Sequence, residues 1–280
     1  MASTDSNRFA TLRQAAVSAL GEADLDQKVA KTQAATELWF DRRLGLHAPT
    51  DPKVPPRPGR PDKPDLVPPK TVKRRSVHTD AGRIALIHAL CHIELNAVDL
   101  ALDIVARFAD QRVPRSFFDG WMTVAFEEAK HFSLLSERLK SFGSFYGALP
   151  AHDGLWQAAG ATSHDLSARL AVVPLILEAR GLDVTPSLIE KLNEVGDEET
   201  AAILKIIYED EKGHVAVGAK WFRFLCARER INPATRFQAL VRSLFHGEVK
   251  PPFNDLARAE AGLTPSFYRT LSPLSNSSFG

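Results

Sequence analysis

Two short strings constrain this chain more than anything else in it. Glu128-Ala129-Lys130-His131 and Glu211-Lys212-Gly213-His214 each set a carboxylate and an imidazole three residues apart. On a helix that spacing puts both side chains on one face. One Glu-x-x-His carries little, since it arises by chance in roughly one chain of this length out of every few. Here each pair also has a lone Glu upstream at nearly the same distance, Glu94 lying 34 residues before Glu128 and Glu178 lying 33 before Glu211. The two sets are offset by 84 residues for the lone Glu and by 83 for both members of the pair. One ligand pattern written twice is what two helical hairpins facing each other would carry.

The neighbours of these carboxylates predict burial. One and two turns from Glu94 stand Ile87, Leu90, Val98 and Ala101, and around Glu128 stand Trp121, Val124 and Leu135. Glu211 has Leu204, Ile207 and Val215 at the same spacings, and Glu178 follows Pro174 and Leu175. Burying a carboxylate without compensation costs several kcal/mol. Nothing basic recurs at matching positions, so metal is the simplest compensation. Carboxylates mixed with some imidazole suit iron, with manganese as the alternative. Two lone Glu residues plus two Glu-x-x-His pairs form the ligand set of ferritin-like di-iron bundles. The expected site is two iron ions with Glu94 and Glu178 as terminal ligands, Glu128 and Glu211 as bridging ligands, and His131 and His214 giving one nitrogen to each metal. Glu127 and Asp210 stand immediately before the paired Glu residues. Each is either a carboxylate that accepts the free imidazole N–H of a ligand His and fixes its tautomer, or a solvated acid beside a functional one.

Composition bounds the rest. With 44% hydrophobic and 25% charged residues the 280-residue chain is ordinary globular material, and a net charge of +1 gives no general pull toward nucleic acid or an anionic membrane. Cys91 and Cys226 lack Cys-x-x-Cys spacing, which excludes a disulfide framework and a rubredoxin-type iron site and points to a reducing cytoplasm. No stretch approaches 18 uninterrupted apolar residues and the N-terminus has no apolar signal region, so no membrane association is expected.

Along the chain, residues 1–46 read as two helices separated at Gly21. Residues 47–79 form an arm with nine prolines between Pro49 and Pro69, extended rather than helical. It ends in Lys70-Thr71-Val72-Lys73-Arg74-Arg75, a run that is either solvated or a phosphate and nucleic-acid contact. Residues 80–230 read as the four-helix bundle. Its first helix is capped by Thr79 or Asp80 and reaches about Asp110, and its second runs from Pro114 to about Phe142. A long crossover follows. The third helix is expected from about Asp165 to Gly181, with Pro174 able to kink it, then a short helix from Thr185-Pro186 to Gly196, then a fourth from Asp197 to about Arg230. Residues 231–280 read as one amphipathic helix to about His246 and a polar tail packed outside the bundle. Gly213 weakens its helix, and close packing or a local bulge near metal would explain it. His88 and His92 point away from the Glu94 face, as core histidines or a second metal site, and Asp99 with Asp103 reads as a pair of packing or surface partners.

Three longer strings carry a resemblance. His88-Ala89-Leu90-Cys91-His92-Ile93-Glu94, Tyr146-Gly147-Ala148-Leu149-Pro150-Ala151-His152-Asp153-Gly154-Leu155-Trp156, and Leu177-Glu178-Ala179-Arg180-Gly181-Leu182-Asp183-Val184-Thr185-Pro186 look like the ferritin-like family catalogued as domain of unknown function 455, over roughly Pro58 to Phe267. The resemblance implies an all-α, ferritin-like four-helix bundle with a long crossover and a di-iron site, and it supplies no substrate. The wider superfamily includes di-iron oxygenases, a tRNA-modifying hydroxylase, ribonucleotide reductase small subunits and rubrerythrins. Where the reductase pattern has a radical Tyr, one turn after the first paired His, this chain has Leu135, which leaves Tyr208 as the nearest redox-active phenol or an ordinary core Tyr. Two functional classes stay open. One is an O2-activating hydroxylase or monooxygenase, a monomer or dimer fed by an external electron donor and acting on a small molecule or, more narrowly, on tRNA. The other is a ferroxidase, peroxide-scavenging or iron-handling protein.

Overall fold

The computed structural model describes residues 9–71 and 76–273, so most of the basic run, Val72 to Arg75, lies outside the described residues. The described residues contain helices and no β-strand, in keeping with an all-α chain, and they divide into two compact units, Met1–Trp156 and Gln157–Gly280.

In the first unit α1 (Leu12–Leu20) and α2 (Leu25–Phe40) form a hairpin that breaks at Gly21 and restarts at Asp24, whose side chain accepts the Gln27 backbone N–H. The hairpin packs on two long helices, α3 (Asp80–Arg107) and α4 (Arg115–Ser141). Thr79 rather than Asp80 caps α3, its hydroxyl accepting the Gly82 N–H at 3.1 Å. By length and composition α3 is apolar enough to cross a membrane, but 67% of that window is buried inside the protein and it carries Glu94, Asp99 and Asp103, which makes it the core helix of the unit. Asp99 and Asp103 are packing partners, not surface acids, since both are fully buried. Asp99 accepts from Lys28 Nζ at 2.5 Å and from Arg60 Nε at 3.0 Å, and Arg107 Nη2 reaches Asp103 at 2.6 Å.

The Pro-rich arm is extended apart from a turn at Ala48–Asp51 and a 3-10 turn at Pro69–Thr71, and extended proline backbone makes no internal hydrogen bonds, so the carbonyls between these turns need donors from elsewhere. Arg107 donates to the Pro55 carbonyl at 3.2 Å and the Trp156 indole to the Pro56 carbonyl at 3.1 Å, while Arg60 ties the arm to Asp99 and to Asn96. The segment after α4 returns along α3. Tyr146 stacks on His88 and His92 with ring centroids 5.3 and 6.1 Å apart. His92 Nε2 faces the His152 carbonyl at 2.9 Å; a carbonyl only accepts, so Nε2 carries the proton and Nδ1 accepts from the Tyr146 hydroxyl at 2.8 Å. His88 Nε2 accepts the Gly147 N–H at 3.0 Å. Both are the hydrogen-bonded core histidines that their angle on the helix predicts.

In the second unit α5 (Gly154–Ala161), which spans the division, is followed after a turn by α6 (Leu166–Val172), which runs into a π-helical turn (Val173–Glu178) and α7 (Ala179–Glu194) without interruption. This corrects the expected stop at Gly181 and restart at Pro186. Pro174 has no N–H to donate one turn back, and the register around it widens until the Ala179 N–H reaches the Pro174 carbonyl. Pro186 deprives the Leu182 carbonyl of its helical donor, and Asn254 Nδ2 replaces it at 3.2 Å. Helix α8 (Glu198–Glu229) starts at Asp197 as predicted and packs on the π-helical turn and α7. After α9 (Pro233–Leu244) the chain is not a polar tail: α10 (Asp255–Glu260) and α11 (Pro265–Tyr268) bury Ala257, Arg258, Leu263, Phe267 and Tyr268, with the Phe267 ring centroid 5.4 Å from that of Phe237. Helices this short show no periodic signal.

The glycines of α8 have opposite roles. A Cβ on Gly213 would meet nothing within 4 Å, so close packing does not explain it. A Cβ on Gly218 would lie 2.6 Å from Pro174 Cβ, so that glycine lets the π-helical turn lie flat on α8. Gly213→Ala should stabilise the protein by ~1 kcal/mol, and Gly218→Ala should destabilise it by about 1–3 kcal/mol. Urea unfolding of both variants checks the pair.

Burial pulls the His88 imidazole down to about 4 from 6.5. Because the folded value lies below the unfolded one, the unfolded chain binds the proton first, and stability falls as pH drops from 6.5 toward 4. The loss from this residue is about 2 kcal/mol at pH 5. Comparing urea midpoints at pH 7.5 and 5 should reveal it, and His88→Gln should reduce the difference; an unchanged difference would remove His88 as its source.

Candidate metal site

Helices α3 and α4 pack side by side, and three of their acid and imidazole side chains meet. Glu94 comes from the middle of α3, and Glu128 and His131, one turn apart, come from α4. His131 Nδ1 lies 3.2 Å from Glu94 Oε2 and 3.4 Å from Glu128 Oε2. One ligand atom from each residue falls within 4.8 Å of the others, and the residues are 3%, 0% and 0% exposed in the order Glu94, Glu128, His131. This group could hold a metal ion. Of the apolar flanks the sequence predicts, Ile87, Val98 and Ala101 on α3 and Trp121, Val124 and Leu135 on α4 are buried, whereas Leu90 is half-buried.

The electrostatics favour positive charge at this point. Burial raises the Glu94 carboxyl well above its ordinary range, and the Glu128 carboxylate beside it adds to the shift. For His131 burial alone would pull the imidazole down, but hydrogen bonds and charge from Glu128 and Glu94 overcome it and push it up to about 10. The buried Glu94 carboxyl and the His131 imidazole therefore hold protons unless another cation replaces them.

In the second unit Glu211 and His214 lie one turn apart on α8, with His214 Nδ1 facing Glu211 Oε1 at 3.8 Å. The imidazole is buried and the Glu211 side chain is 12% exposed. In both units it is Nδ1 that turns toward the carboxylate. Glu178 is the last residue of the π-helical turn, half-buried, on the segment that packs against α8. Glu127 and Asp210 are half-buried beside the paired Glu residues. Tyr208 is also half-buried: its hydroxyl accepts from Asn254 Nδ2 at 3.1 Å and Lys212 Nζ sits 5.2 Å from its ring centroid. Sequence reasoning missed Tyr146, the phenol bound to His92, whose ring meets Phe132, the neighbour of His131, at 5.7 Å. Their contact bridges 54 residues and has no local spacing to reveal it.

The comparisons with known proteins agree on kinship and are silent on chemistry. An uncharacterized protein of Haemophilus influenzae (strain ATCC 51907 / DSM 11121 / KW20 / Rd) is 43% identical over 204 residues, 71% of each chain. No solved structure matches. The family described as "Protein of unknown function (DUF455)" matches residues 21–269, farther toward the N-terminus than the three resembling strings. With nearly its whole length matched, the chain belongs to the DUF455 family.

Proposed function

We propose that this protein is a ferritin-like di-iron carboxylate oxidoreductase that uses O2 to oxidise a small organic substrate. The observation that carries the reading is the buried meeting of Glu94, Glu128 and His131, with Nδ1 turned on two carboxylate oxygens. It gains weight from the second set of the same composition, Glu178, Glu211 and His214, in which Nδ1 again faces the carboxylate. The donors suit iron: each set offers two hard carboxylates and one imidazole, whereas a structural zinc site takes Cys and His in a closed tetrahedron. A cation bound by Glu94, Glu128 and His131 would replace the protons that this set otherwise retains.

Two iron ions so held would supply the electrons and the coordination positions for reducing O2. The chain's own part is to position and to seal. Ligands one turn apart on long helices keep their spacing without a flexible loop, and the apolar flanks exclude water that would intercept reactive oxygen. A separate donor would supply the electrons, since Cys91 and Cys226, both free and buried, lack the Cys-x-x-Cys spacing of a rubredoxin-type centre. The ferritin-like arrangement of the four ligand-bearing helices is part of the same proposal.

Protein made in iron-rich medium should contain about two irons per chain. His131→Gln and His214→Gln, which keep approximate side-chain volume, should each reduce that number toward one while circular dichroism stays unchanged. His92→Gln should leave it at two. Iron near zero in both the purified and the anaerobically reconstituted wild type would overturn the reading.

A further inference from the structure

The second unit contains a pocket of about 260 Å3 that no metal ligand lines. Its apolar walls come from Ile176 and Leu177 of the π-helical turn and from Phe245, Val249 and Phe253, in the segment between α9 and α10. Leu177, Phe245, Val249 and Phe253 are only half-buried, so the protein leaves part of this apolar surface uncovered. A glycine fixes one piece of the lining. A Cβ on Gly247 would lie 2.4 Å from Phe245 Cζ, so the Phe245 ring rests against the backbone of residue 247, where a side chain would displace it.

The charged residues at the pocket are engaged with other parts of the protein. Arg180 donates to the carbonyls of Lys250 and Pro252, both at 2.9 Å, and meets Asp183 Oδ2 at 3.2 Å. Arg258 is buried, and its Nε and Nη2 donate to the two Asp183 oxygens at 2.7 and 2.6 Å. Lys250 Nζ lies 3.3 Å from Glu248. Every charge at the rim thus has an opposite charge of the protein beside it. A charged ligand would give up its hydration among apolar side chains without gaining a counter-ion of its own, so charge complementarity selects a neutral ligand.

We propose that this pocket binds a small, neutral, apolar organic molecule, the size of a benzene ring with a short substituent, against Ile176, Leu177, Phe245, Val249 and Phe253. Size and driving force both follow from the lining. An apolar cavity of ~150 Å3 takes benzene, and the pocket's volume of about 260 Å3 leaves room for the substituent. Water held against apolar walls is poorly satisfied, and an apolar ligand gains by displacing it. The bound molecule packs on the turn that ends in Glu178, but its binding does not depend on metal.

Calorimetric titration of the full-length protein with toluene tests this, with benzoate and benzylammonium as probes of the same ring bearing a negative or a positive charge. Toluene should bind saturably at one site, and each charged probe should bind about tenfold more weakly or worse. Val249→Trp, which fills the pocket, should abolish toluene binding. Gly247→Ala, which pushes the Phe245 ring out of place, should weaken it by about tenfold through the loss of one aromatic wall. Unchanged circular dichroism of both variants separates these losses from misfolding. The proposal falls if toluene shows no saturable binding, if either charged probe binds as tightly as toluene, or if both variants retain wild-type affinity. None of these results alters the iron content that tests the metal reading.

Discussion

Three carboxylates buried along α3 set the terms for the first unit. Glu94 is 3% exposed and Asp99 and Asp103 are 0% exposed, on a helix whose remaining residues are largely apolar. Uncompensated burial of even one ion costs several kcal/mol. Asp99 therefore draws in two cations from segments distant in sequence, Lys28 on α2 and Arg60 on the proline arm. Burial lowers the Lys28 pKa and Asp99 opposes the shift, so each charge depends on the other. The N-terminal hairpin and the arm are thus joined to α3 by charge as well as by packing. Removing Lys28 would leave an under-compensated acid inside the unit.

Glu94 is compensated differently. Asp99 and Asp103 meet guanidinium or ammonium groups, but Glu94 meets the imidazole of His131. Arg never gives up its proton at physiological pH and its fork occupies both carboxylate oxygens. Imidazole can lose a proton and then offers a lone pair to a metal. Along one helix two acids are therefore held by ion pairs and the third by an imidazole. That contrast distinguishes Glu94 from the two ion-paired acids more sharply than burial does, because all three are buried alike.

Much of this was legible because it is local. The Glu-x-x-His pairs, the caps at Thr79 and Asp197 and the off-axis positions of His88 and His92 all follow from spacing within one helix, and the structure agrees with them. What was not legible depends on contacts distant in sequence. Asp99 allowed a surface reading because its partners lie 71 and 39 residues away. The continuous α6 to α7 run was missed because proline statistics assume that a freed carbonyl stays unsatisfied. Gly218, not Gly213, has the packing role, since only the position of Pro174 distinguishes them.

The same non-local logic gives the C-terminal segment its place in the second unit. Helix α7 passes Pro186 because Asn254 donates to the Leu182 carbonyl, and the same side-chain nitrogen donates to the Tyr208 hydroxyl on α8. The Asn254 backbone N–H is held in turn by Asp183, which also takes both arms of Arg258. Residue 254 therefore ties α7, α8 and α10 together at the level of the proline. Without it the Leu182 carbonyl would have to find water, and a helix with an unsatisfied carbonyl beside a proline kinks. The π-helical turn that carries Glu178 lies one turn before Leu182, so the position of that carboxylate relative to Glu211 and His214 depends on an asparagine from a segment that sequence periodicity assigns to a tail.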